Sequence, residues 1–211
     1  NVIFTARGFA QTLDLLDSHK INYYLIGRYP GRNLSDKIID VFYRSFALLK
    51  FGKGKKIDLC ISHNSHHISI AAKFLGIPCI NMFDYEHAFS HHINIRLAHK
   101  IIVPSYIELN SLKKYGCTQD KLLRYEGLKE QNYLSTFSPN INSLESLRLD
   151  WDKIIVTIRP PSEMAHYHKK PNTFYPSLLA FLSKKQEVQC VILPRDDHQK
   201  EYAMSYKSKN F

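Results

Sequence analysis

What most constrains the fold of this chain is residues 57–92, where two short apolar runs each stop at a dense polar cluster. Ile57-Asp58-Leu59-Cys60-Ile61 runs into Ser62-His63-Asn64-Ser65-His66-His67, and Pro78-Cys79-Ile80-Asn81-Met82-Phe83 runs into Asp84-Tyr85-Glu86-His87. A helix-like segment, roughly 68–75, separates them and is closed by Gly76. Strand, polar loop, helix, strand, polar loop is a βαβ unit with its reactive side chains at the carboxyl ends of parallel strands. That edge is where open α/β sheets bind ligands.

The same alternation continues in both directions. Strands are predicted over 2–5, 21–26, 100–103, 122–125, 153–158 and 188–193, and helices over 9–19, 34–51, 94–98, 107–115, 173–184 and 196–206. In the first helix Leu13, Leu15 and Leu16 are expected inward. The second carries Leu34, Ile38, Val41, Phe42, Ser45, Phe46 and Leu49 at helical spacing, about five turns at ~3.6 residues each. Short Ile- and Val-rich strands between helices indicate parallel, doubly wound sheets. The pattern loosens over 135–150, with Pro139, Asn140 and Asn142. This places an N-terminal Rossmann-like domain at 1–134, a linker at 135–150 and the start of a second such domain at 151–211.

Composition narrows the class. The chain has 211 residues, 44% hydrophobic and 23% charged, which excludes disorder. No apolar run is long enough to span a bilayer. Its four cysteines are widely spaced and are read as buried free thiols, so a cytoplasmic location is expected. A net charge of +10 attracts nucleic acid, anionic membranes or nucleotide phosphates. The densest lysine knots, at 50–56 and Lys184-Lys185, lack the interleaved aromatics that stack on bases. They are read as solvated faces: no nucleic-acid partner is expected, and at most peripheral membrane association. The chain opens on Asn1, directly into a strand, and is read as a fragment.

Asp84, Glu86 and His87 could supply a general base and its orienting partner, because a carboxylate and an imidazole can share a proton near neutral pH. The competing reading is helix capping, with Asp84 as N-cap and Glu86 and His87 in the first turn. His63, His66, His67, His91 and His92 raise a metal site, and His63/His67 and His87/His91 have i, i+4 spacing. No metal is expected; His63 is read as ligand-facing, and His91 and His92 as surface residues. Ser62, Asn64 and Ser65 suit an anion or a sugar hydroxyl, or a helix start. Arg7 and Arg159 end strands and could grip phosphate in bidentate fashion, although Arg7 could pair with a local acid instead. Pro160-Pro161 stiffens the exit from Arg159. Lys129 and Glu130 follow Gly127 and could line a ligand site or form an ion pair, and Arg195 is a weaker candidate. Neither a G-x-G-x-x-G nor a Walker pattern is present, which counts against a nicotinamide dehydrogenase or an ATPase.

Taken in order, Thr5-Ala6-Arg7, Ser62-His63-Asn64-Ser65, Asp84-Tyr85-Glu86-His87-Ala88, Tyr125-Glu126-Gly127-Leu128-Lys129-Glu130 and Ile158-Arg159-Pro160 resemble the prokaryotic domain of unknown function 354 family. That family is similar to the GT-B glycosyltransferases and the UDP-N-acetylglucosamine 2-epimerases. The resemblance covers essentially the whole chain. It implies a GT-B-like α/β fold of two Rossmann-like doubly wound parallel sheets, the first lacking its first strand and the second only partly present. Thr157-Ile158-Arg159-Pro160-Pro161-Ser162-Glu163 resembles an epimerase strand end, but Ile158 stands where a histidine is expected. Ser62 to Ser65 lack the epimerase carboxylate. These departures favour a transferase, or an activity peculiar to the family, over the 2-epimerase reaction.

The implied function is a glycosyltransferase-like or epimerase-like enzyme of glycan or surface-polysaccharide synthesis, inactive as this fragment. The alternative is a non-catalytic binding or scaffold protein. Asp84, Glu86 and His87 would be catalytic, and Arg7, His63, Ser65, Lys129, Glu130 and Arg159 substrate-binding. The implied partners are a nucleotide sugar, UDP-linked, and a glycan acceptor, with no cofactor.

Overall fold

The structure, a computed structural model, describes residues 1–9, 11–31, 33–161 and 173–206. They divide into two compact units, Asn1–Phe137 and Ser138–Phe211. In the first, β1 (Phe4–Gly8), α1 (Thr12–Ser18), β2 (Tyr23–Arg28) and α2 (Leu34–Gly52) lead to β3 (Cys60–His63), α3 (His66–Leu75) and β4 (Cys79–Met82). Then come α4 (His91–Leu97), β5 (Lys100–Pro104), α5 (Leu109–Lys113), β6 (Leu122–Tyr125) and α6 (Gln131–Leu134). The second unit contains α7 (Asn142–Glu145), β7 (Ile154–Ile158), α8 (Phe174–Leu182), β8 (Val188–Ile192) and α9 (Asp197–Ser205).

Every strand pairing is parallel: β1 with β2, β3-β4-β5-β6 in sequence order, and β7 with β8. The chain is therefore α/β with parallel sheets, as its alternation predicted. Among the described residues, β1–β2 and β3–β6 form separate ladders.

Why β5 is central is plain from its side chains. Ile101 and Val103 are fully buried and join Phe83, Ile95, Ile107 and Leu112 in the main core of the first unit. In the second unit Ile158, Tyr175, Leu179, Val188 and Cys190 form a separate core. Because β3 to β6 run parallel in register, with His63 opposite Met82 and Pro104 opposite Tyr125, their carboxyl ends share one edge. Each polar cluster begins there.

Two helices are phased differently from expectation. Leu15 points outward, leaving Leu13 and Leu16 half-buried. In α2, Ile38, Phe42 and Phe46 face solvent, whereas Asp40, Arg44, Ser45 and Leu48 are buried. Two stripes at i, i+4 spacing compete for the inward face of α2. The polar one prevails because its charges find partners: Arg44 Nε donates to the Ile26 carbonyl at 2.9 Å and Asp40 accepts from Arg7 at 3.0 Å. Gly27 makes room for this, since its φ is +86° and a Cβ there would lie 2.8 Å from Arg44 Cδ. No helix among the described residues is long and apolar enough to cross a membrane.

Candidate functional site

At the carboxyl edge of β3–β6, groups from three strand ends converge. Lys129, in the loop after β6, forms an ion pair with Asp84, just after β4. His63 closes β3 with its Nε2 3.8 Å from Asp84 Oδ1, and Glu130 lies 3.9 Å from the Lys129 ammonium. Tyr106, after β5, donates to the Asp84 carbonyl at 3.1 Å, and Ser105 donates to Glu126 at 3.0 Å. Gly127 permits the turn that brings Lys129 back over the edge, with φ +86°.

The electrostatics divide the roles. Partial burial pushes the Asp84 carboxyl up, but the Lys129 bond and the nearby His63 outweigh it and hold the group below the usual range. The bond to Asp84 raises Lys129. His63 is lowered, first by desolvation and then by Lys129, against the opposing pull of Asp84. The edge thus offers an ionised carboxylate, an ammonium and a neutral imidazole. Glu86 and His87 form a separate pair at 3.6 Å, with His87 exposed.

Beneath this edge lies a buried polar scaffold. Asn64 adopts φ +51°, a left-handed conformation that asparagine tolerates, and its Oδ1 accepts from Ser90 at 2.9 Å and Asn94 at 2.8 Å. Asn81, fully buried on β4, donates to Ser62 at 3.0 Å and Ser69 at 3.1 Å. Two groups that the sequence marked as strand-end chemistry, Ser62 and Asn64, are therefore held by hydrogen bonds to this scaffold. Ser65 serves as the N-cap of α3, accepting from the Ile68 amide at 3.4 Å.

Several sequence expectations are corrected. Asp84 caps no helix: α4 starts at His91 with Ser90 at the N-cap, so Glu86 and His87 are not in its first turn. His63 lies on β3 and His67 on α3, so their spacing is not that of one helix face. His91 is not a surface residue. It is fully buried, with its ring 4.0 Å from that of Phe83 and its Nε2 donating to the Tyr85 carbonyl at 2.6 Å.

A second cluster joins β1, α2 and α3, and sequence reasoning missed most of it. Arg7 pairs with Asp40 at 3.0 Å, and Asp40 Oδ2 lies 3.1 Å from His67 Nε2. Arg44 reaches His67 Nδ1 at 3.3 Å. With Nε2 protonated, a neutral His67 donates to Asp40 and accepts from Arg44, so both nitrogens are satisfied. A second proton would face Arg44. Accordingly, burial and then the neighbouring His66, Arg44 and Arg7 push His67 down to about 2. His66 is pushed to about 4 by burial and the two arginines, and burial together with Arg7 lowers Arg44 to about 10. The i, i+4 pair Asp40/Arg44 on a helix otherwise read by its apolar residues was the available signal.

In the second unit, Arg159 is exposed at the end of β7. Arg195 is engaged locally, donating from Nε to the Pro160 carbonyl at 3.0 Å. Ser162 and Glu163 lie outside the described residues.

Comparison with known proteins adds context. The profile of the family described as "Protein of unknown function (DUF354)" matches residues 1–210. An uncharacterized protein of Methanocaldococcus jannaschii is 28% identical over 207 residues, covering 94% of this chain and 59% of that protein. The chain thus spans about three fifths of the length of the curated relative it matches. Among solved structures, UDP-N-acetylglucosamine 2-epimerase from Rickettsia bellii superposes with a TM-score of 0.67 at 15% identity, over 98% of this chain and 59% of that one. UDP-GlcNAc 2-epimerase from Neisseria meningitidis, bound to UDP-GlcNAc, gives 0.61 at 12% identity, over 99% and 70%. Anabaena Alr3699/HepE in complex with UDP gives 0.51 at 14% identity, over 95% and 56%. At these identities the likeness is one of fold, and the fold is GT-B-like.

Proposed function

The chain belongs to the DUF354 family, and from that premise we propose that it is part of a GT-B-like enzyme acting on a nucleotide sugar, UDP-linked, in glycan or surface-polysaccharide synthesis. One observation carries this reading: His63, Asp84 and Lys129 come from three different strand ends and meet at the sheet edge where α/β folds bind ligands. The UDP and UDP-sugar held by the similar structures support the ligand class.

In this reading His63 is the proton acceptor rather than a substrate contact. A neutral imidazole can take a proton from a sugar hydroxyl, and the ionised Asp84 beside it stabilises the resulting imidazolium. Asp84 is then a positioning residue, kept ionised by Lys129. The Lys129 ammonium has donors beyond those that Asp84 uses, and these suit a phosphate or sugar oxygen. Glu86, His87 and Arg159 remain candidates for the acceptor and for the phosphates.

Calorimetric titration of the chain with UDP and UDP-N-acetylglucosamine tests the proposal. Wild type should bind the sugar nucleotide, and His63→Ala and Lys129→Ala should weaken binding without lowering the melting temperature. If wild type gives no heat, or the variants bind as it does, the edge is not the ligand site. Variants that only melt earlier would make the chain a binding or scaffold protein.

A further inference from the structure

The outward face of α2 is the least expected surface of the first unit. Ile38, Ile39, Phe42, Tyr43 and Phe46 are all exposed, with Phe42 at 73% and Phe46 at 66%. At 100° per residue these five occupy one continuous face, and Lys50, one turn beyond Phe46, continues it. Lys53, Lys55 and Lys56 follow at once and are exposed as well. Asp40 and Arg44 of this helix are turned inward and paired there. An aromatic stripe ending in lysines is the pattern of a helix that lies in a membrane interface, with its rings among the acyl chains and its ammonium groups at anionic headgroups.

We propose that this face of α2 docks the protein peripherally on an anionic lipid bilayer. Charge decides between the possible occupants. The chain carries a net charge of +10, so a second copy is repelled at long range, whereas an anionic surface attracts it. Asp40 is turned inward, and the next acids in sequence, Asp36 at the opposite end of the stripe and Asp58 beyond the lysines, do not balance the four. Docking leaves the sheet edge with His63 and Asp84 untouched, because no residue of the stripe belongs to it. The inference therefore stands apart from the proposed reaction.

Co-sedimentation of the chain with mixed phosphatidylglycerol–phosphatidylcholine vesicles, against phosphatidylcholine alone, tests it. Wild type should pellet with the anionic vesicles and be released by salt. Phe42→Ser/Phe46→Ser should weaken partitioning by about tenfold or more, from the loss of two buried rings. Lys50→Ala/Lys53→Ala/Lys55→Ala/Lys56→Ala should abolish the preference for anionic over neutral vesicles. All six side chains are exposed or nearly so, and an unchanged melting temperature checks folding. Wild type that ignores anionic vesicles overturns the proposal, as does a phenylalanine variant that binds equally well. A concentration-dependent dimer abolished by the same variant, without vesicle binding, would assign the face to a second copy instead.

Discussion

The first unit holds two clusters built from the same parts, an aspartate, a cation and a histidine, in opposite surroundings. Asp40, Arg44 and His67 are buried between helices, at 9%, 7% and 3% exposure. Asp84, Lys129 and His63 stand at an open sheet edge, with side chains 30%, 42% and 53% exposed. Low dielectric strengthens the buried attractions, but it also makes any unpaired member expensive. Arginine suits that place because its fork can serve Ile26 and His67 together. At the edge, water screens the pair, so its contribution to stability is small and its groups can be lent to a ligand. The lesson is that burial, and not residue type, decides which ions are committed to the fold and which are open to a ligand.

The contrast can be broken at its strongest point first. Asp40→Ala takes the carboxylate from Arg7 and His67 and its favourable charge from the buried Arg44, and should cost about 3–5 kcal/mol of unfolding free energy, read by urea denaturation. A loss no larger than that of a surface pair would end the distinction. Acid is the next lever. His66 and His67 titrate at about 4 and about 2 in the fold but near 6.5 when unfolded, so the unfolded chain binds protons that the folded one refuses. Stability should be fully present above pH 6.5 and fall as pH drops towards 4. Urea midpoints that stay flat across that window would mean the two rings are not held neutral.

Smaller effects sharpen the other side. Ser65→Ala removes the α3 cap and should cost about 1 kcal/mol, while leaving sugar-nucleotide affinity within error if Ser65 is only a cap. Smallest of all in stability is Asp84→Asn, expected to shift unfolding by under about 1 kcal/mol. It should nonetheless weaken UDP-sugar binding in calorimetry. A large loss of stability with intact binding would invert the comparison.

How far these clusters could be read from sequence follows from distance along the chain. The βαβ order and the shared carboxyl edge are local properties, written in apolar runs and their polar ends. They survive intact in β3, α3 and β4. Which clusters meet is not local: Lys129 and Asp84 are 45 residues apart, and Arg7 and Asp40 are 33 apart. The inward face of α2 was ambiguous because an apolar and a polar stripe share one period, and only Arg7, Ile26 and His67 break the tie. His91 was misread for a related reason. Its burial depends on the ring of Phe83 and on an α4 that begins three residues earlier than its apolar pattern suggests.

Gly27 extends the point to inheritance. Its missing side chain is the space that the aliphatic part of Arg44 occupies. A substitution there would be catalogued as a strand-end lesion, yet it would behave as an allele of residue 44, displacing a guanidinium 17 positions away. Gly27→Ala and Arg44→Ala should therefore be partly epistatic: the double variant escapes the clash and should fall below Arg44→Ala only by the strain of a Cβ at φ +86°, about 1–2 kcal/mol.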